Sequence, residues 1–149
     1  MAAIRDSIAQ QLVAAIDALS GWSAVLRNAE TTLNVPKLAV VNILGESKRP
    51  ADQLFYSCAL RLGVAVYAQS EDADDSIDGS NPSRYLDRCI ADVERAVHSV
   101  TWSNDEIATV AGWDAEPPSA ENVLQALVNV SVDYRHNFDD PDTYNPVYT

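Results

Sequence analysis

The sequence predicts an α+β domain of two layers, a mostly antiparallel or mixed sheet with two helices packed on one face and long protruding strands. Two observations carry this reading. Two segments bear a single apolar stripe at helical spacing, so each buries one face only. Two others alternate apolar with small or polar residues over long stretches, as half-buried strands do. All of these elements fall within residues 1–134, which read as one domain. Residues 135–149 read as an irregular acidic and aromatic C-terminal tail.

Residues 3–19 form the first predicted helix. Ile4, Ile8, Leu12, Ile16 and Leu19 recur at spacings of four and three and share a face, and Ser20-Gly21 stops the helix. A short strand follows at Trp22–Arg27, then a loop over residues 28–36. Lys37–Leu44 holds the apolar run LAVVNIL, closed by Gly45, and reads as a central strand.

Phe55–Gln69 is the clearest strand. Tyr56, Cys58, Leu60, Leu62, Val64, Val66 and Ala68 alternate with Ser57, Ala59, Arg61, Gly63, Ala65 and Tyr67. A strand of that length spans ~50 Å, against ~40 Å for the diameter of a compact domain of this size. It must bend or protrude, and Gly63 is the expected bend or bulge.

Pro82-Ser83 opens the second helix behind an Asn81 cap, with Leu86, Ile90, Val93 and Val97 as its stripe and Cys89 beside it. Residues 101–106 are a turn, Ile107–Trp113 a strand, and Glu116–Ser119 a loop. Asn122–Tyr134 alternates again, with Leu124, Ala126, Val128, Val130, Val132 and Tyr134 on one face. It is suited to pair with 55–69.

The chain of 149 residues carries ten Lys+Arg and 22 Asp+Glu, a net charge of −12. Residues 71–149 hold four basic and 17 acidic residues, which is −13, whereas the first 70 residues are close to neutral. Such a surface repels phosphate backbones and argues against binding nucleic acid. Solubility is one use for it. Another is a surface that faces nucleic acid or a basic partner without adhering.

The loop DDSIDGSNPSRY, residues 74–85, spaces Asp74, Ser76, Asp78 and Gly79 like a calcium loop. The twelfth position, where a bidentate glutamate belongs, is Tyr85, and the ninth is Pro82. No metal and no cofactor is expected. Glu71, Asp72, Asp74, Asp75 and Asp78 are instead candidates for an acidic surface or pore lining.

Cys58 and Cys89 fall on apolar faces and make no metal pattern, so buried thiols are expected, with a disulfide left open. His98 closes the second helix and His136 lies in the tail. No glycine-rich phosphate loop, nucleophile elbow or zinc-protease motif is present, and no catalysis is expected. Trp22, Trp102 and Trp113 sit near strand or loop ends, where packing is the default. No apolar run reaches the ~20 residues of a membrane span. MAAIRDSIAQQL lacks the apolar core of a signal peptide, so synthesis in the cytoplasm is expected. In the tail, Phe138, Tyr144 and Tyr148 either mark a contact surface or fold back onto the domain.

The order of elements resembles that of the tail terminator proteins of tailed bacteriophages, the group of the lambda-type minor tail protein U and related tail-completion proteins. The segments that carry the likeness are IRDSIAQQLVAAIDAL, PKLAVVNILGE, YSCALRLGVAVYAQ, YLDRCIADVERAVHS and VLQALVNVSVDYRHNFDDPDTY. The resemblance implies a non-enzymatic virion protein made in the host cytoplasm. It implies a homo-oligomeric, hexameric ring that caps the tail tube protein and meets a neck or connector protein, while DNA passes through unbound. No family residues transfer to this chain. Gly63, Tyr67, Phe138, Tyr144 and Tyr148 are the candidate partner or oligomer contacts, on the argument that overlong strands and exposed aromatics meet neighbours. A related head–tail connector and a monomeric acidic binding module that mimics DNA are the alternatives.

Overall fold

A computed structural model of the chain describes residues 4–26, 37–51, 54–69, 82–103, 106–115, 123–137 and 140–144. The elements in order are α1 (Ile4–Asp17), β1 (Trp22–Leu26), β2 (Lys37–Ala51), β3 (Phe55–Gln69), α2 (Pro82–Ser99), β4 (Ile107–Ala115), β5 (Val123–Asn137) and β6 (Asp140–Tyr144). The six strands form one mixed sheet in the order β1-β2-β3-β5-β4, with β6 pairing β5. β1 runs parallel to β2 and every other pairing is antiparallel. The predicted α+β class is the observed one.

The apolar stripes do what their spacing requires. Ile4, Ile8, Leu12 and Ile16 of α1 are buried, as are Leu86, Cys89, Ile90, Val93 and Val97 of α2. Both helices join one core cluster with Leu60, Leu62, Val64 and Val66 of β3 and Val128, Val130 and Val132 of β5. These strand residues alternate onto one face, so both helices cover that face. Gly21, at φ 82°, takes the left-handed turn that releases the chain from α1 into β1.

α2 is tied to the β1–β2 corner through Asp92. Its carboxylate pairs with Lys37 at 3.8 Å and Arg95 at 2.8 Å, and accepts the Trp22 indole N–H at 3.3 Å. Trp22 is therefore a buried packing residue with its polar handle satisfied.

β2, β3 and β5 are each 15 residues long and run side by side along their whole length. At ~3.3 Å per residue they reach ~50 Å. α1 with 14 residues and α2 with 18 span only ~21 and ~27 Å at 1.5 Å per residue. The ends of the long strands accordingly extend past the helices, and residues 47–50 of β2 are exposed.

Three sequence expectations need correction. β2 does not close at Gly45 but continues to Ala51. Beyond the five residues paired with β1 it is an edge strand, which accommodates Pro50. Gly63 is neither bend nor bulge: it pairs in unbroken register with Asn42 and Asn129. The bulges lie at Ile43/Gly45 in β2 and at Val110/Gly112 in β4. The tail is not wholly irregular either, since β5 runs on to Asn137 and Asp140–Tyr144 adds a strand to its edge.

Candidate functional site

The β2 bulge sets the chemistry at one end of the sheet. Before it, Ala39, Val41 and Ile43 sit opposite Val66, Val64 and Leu62, facing the helices. One residue, Leu44, is then extra, and beyond it Glu46 and Lys48 sit opposite Leu60 and Cys58. An inserted residue inverts the alternation. The bulge thus turns two charged side chains onto the face that the core uses.

There they form a network with β3 and β5. The Tyr134 hydroxyl donates to Glu46 Oε2. The Lys48 ammonium lies 3.5 Å from Glu46 Oε1 and 2.9 Å from His136 Nε2. His136 Nδ1 lies 2.6 Å from the Asn137 carbonyl oxygen. These contacts assign the proton to Nδ1, which donates to the carbonyl, while Nε2 accepts from Lys48. Tyr56 flanks the imidazole with ring centroids 5.3 Å apart. His136 is only 2% exposed and the Glu46 side chain 7%. Glu46 Oε1 has no hydrogen-bond donor, only the ammonium.

Burial first, then the Glu46 hydrogen bond and its charge, holds the Tyr134 hydroxyl far above the ordinary phenol range. Burial and the Glu46 charge also push the Cys58 thiol up. Cys89 is pushed up to about 11 by burial above all. Both cysteines are free, buried and held as thiols, the unreactive form. The imidazole has both nitrogens engaged and presents neither to solvent. This network can clamp three strand ends together.

The opposite sheet face has a different character. Among the described residues no helix or strand packs on it. Leu38 and Val40 at one end are buried but stand apart from the core cluster. Gly63 sits near the middle, where a side chain added to it would meet Leu44 and Leu127. Tyr67 is on this face, opposite Leu38 and Gln125. Leu44 and Ile107 are 51% and 63% exposed.

Toward the hairpin tip this outer face turns basic. Arg49 of β2, Ser57 of β3 and Arg135 of β5 form one cross-strand row, and the next row is Ser47, Ala59 and Asp133. A cleft of about 330 Å3 opens here, lined by Ser47, Lys48, Arg49, Ser57, Cys58, Ala59 and Asp133. Arg61 lies one row further in, its guanidinium over Gly45. Arg135 is braced on Phe55, its guanidinium carbon 4.4 Å from the ring centroid.

Of the residues singled out in the sequence, Gly63 and Tyr67 share the outer face. Tyr144 ends β6, opposite His136 in register. Phe138, Tyr148, Glu71, Asp72, Asp74, Asp75 and Asp78, and with them the calcium-like loop, lie outside the described residues. Among the described residues no group of three or more His, Cys, Asp or Glu is placed to hold a metal. No helix among them is long and apolar enough to cross a membrane. His136 was placed in an irregular tail by its sequence context and is instead buried in β5. The alternation of Tyr134-Arg135-His136-Asn137 is the signal that extends the strand to it.

No protein-family model matches the chain, and no curated protein matches it. Among solved structures, the core region of PilO from the type IV pilus system of Pseudomonas aeruginosa is similar over 67% of this chain and 81% of that one. The identity is 14% and the TM-score 0.27. A likeness of that size bears on neither the fold nor the function.

Proposed function

We propose that this chain is a structural assembly protein of a bacteriophage tail. In this reading it is a tail terminator, which closes as a homo-oligomeric ring on the tail tube and joins it to the neck. The observation that supports the reading is the open sheet. Its outer face is covered by no described element, and among the described residues no strand pairs the edge of β2 that faces away from β3 over residues 42–51, or the edge of β4 that faces away from β5. Unpaired main-chain groups on long strands and a sheet face that no described element covers are what a subunit offers to neighbours. The clamp of Glu46, Lys48, Tyr134 and His136 stiffens the strand ends that extend past the helices, so that they hold their shape as contact elements.

The test is length control of the tube. Purified tail tube protein is allowed to polymerise with and without this chain and imaged by negative stain. A terminator leaves short tubes bearing a ring at one end. Tubes of unchanged length with bare ends would rule the reading out.

A further inference from the structure

Three of the ten basic residues of this chain, Lys48, Arg49 and Arg135, gather at the hairpin end of the sheet, with Arg61 further in towards its middle, and the three arginines lie on the outer face. Arg49 and Arg135 flank Ser57, so their Cα atoms stand about 10 Å apart at the usual strand spacing. Arg49 and Arg61 are exposed and make no ion pair or hydrogen bond with the described residues. The one carboxylate among these rows is Asp133. In a chain of net charge −12, three outward arginines on one face are a local reversal of sign.

The densest carboxylate run in the sequence is Glu71, Asp72, Asp74, Asp75 and Asp78. It follows the opposite end of β3. From Ser57 to Gln69 is twelve residues, or ~40 Å of strand. Asp75 is six residues beyond Gln69 and Asp78 nine, which gives reaches of at most ~21 and ~32 Å even fully extended. The acidic run therefore falls short of Arg49 and Arg135 of its own chain, and only Asp78, fully extended, spans the eight residues or ~26 Å back to Arg61.

We propose that the arginine row and its cleft form a socket for the acidic run of a second copy of this chain. This rests on the homo-oligomeric reading above and specifies the contact. Two copies at −12 repel each other as wholes, so a stable contact must bring opposite local charges together. Arg49 and Arg135 suit carboxylates through their fork of donors, and Phe55 pre-sets the direction of Arg135. A twofold contact through this face would set arginine against arginine. A contact of socket to acidic run joins two different surfaces and, taken head to tail rather than exchanged reciprocally about a twofold axis, propagates into a ring when the rotation closes.

Charge exchange tests it. Two variants, Arg49→Glu/Arg61→Glu and Asp74→Lys/Asp75→Lys, are made, and their masses are measured by light scattering separately and in equal mixture. Thermal melts check that each is folded, and Arg49→Glu alone serves as a milder variant. Each double variant is expected to lose the wild-type oligomer, and the mixture to regain the wild-type mass, because each then supplies the other's complement. A wild-type mass retained by Arg49→Glu/Arg61→Glu, or a mixture that stays dissociated, overturns the socket while leaving the ring reading intact. A wild type that is monomeric with and without tube protein removes the ring reading, and the socket with it.

Discussion

Tyr134→Phe removes one oxygen and should destabilise the protein well beyond the effect of an ordinary surface hydroxyl. The Glu46 side chain is 7% exposed, and its carboxylate has one hydrogen-bond donor, the Tyr134 hydroxyl. Its other oxygen faces only the Lys48 ammonium at 3.5 Å, and that side chain is one-third exposed. Without the hydroxyl a buried charged acceptor is left undonated, which costs about 1.5–3 kcal/mol. With a urea m-value of about 1–3 kcal/mol/M, the midpoint should fall by roughly 1 M. Glu46→Gln makes the acceptor neutral, and there the same Tyr134→Phe change should cost only about 0.5–1.5 kcal/mol. Urea unfolding of the four proteins of this double-mutant cycle measures the coupling. Equal losses in both backgrounds, or a loss under about 0.5 kcal/mol in either, would show that water already solvates Glu46 and that the network holds nothing.

Two further expectations follow from single residues. Cys89 is raised from 9.0 to about 11 in the folded protein. The stability owed to its neutral thiol is complete below pH 9 and is lost as pH rises towards 11. The slope is about 1.4 kcal/mol per pH unit, and Cys89→Ala should flatten that part of a pH series of urea melts. Gly112, in the β4 bulge, has φ 148° and open space around its missing side chain. Gly112→Ala should therefore cost about 1–3 kcal/mol through the backbone alone, read as a fall in Tm; an unchanged Tm would mean that the bulge relaxes freely.

Much of the fold was legible because apolar periodicity marks it. β3 is found over the predicted residues 55–69, and the α1 and α2 stripes are the buried ones, since strict alternation or four-and-three spacing leaves one solution. The signal failed where polar residues occupy core-facing positions. The second half of β2, GESKRPA, looks like a loop because the bulge at Leu44 inverts the phase just as the apolar residues end. Glu46 and Lys48 were not singled out for that reason, and their partners Tyr134 and His136 lie on another strand. DPDTY falls in the tail that reads as irregular, yet an edge strand tolerates its proline. The arginine row was hidden for a different reason. Arg49, Arg61 and Arg135 are far apart in sequence, and register alone aligns them.

The outer sheet face is at the centre of the functional reading, and the molar mass of the protein addresses it most directly. Light scattering coupled to size exclusion, on the wild-type chain alone and mixed with tail tube protein, should give a discrete mass of six copies, either free or bound at tube ends. A mass of one chain, 16.2 kDa, at every concentration and in the presence of the tube would contradict the account.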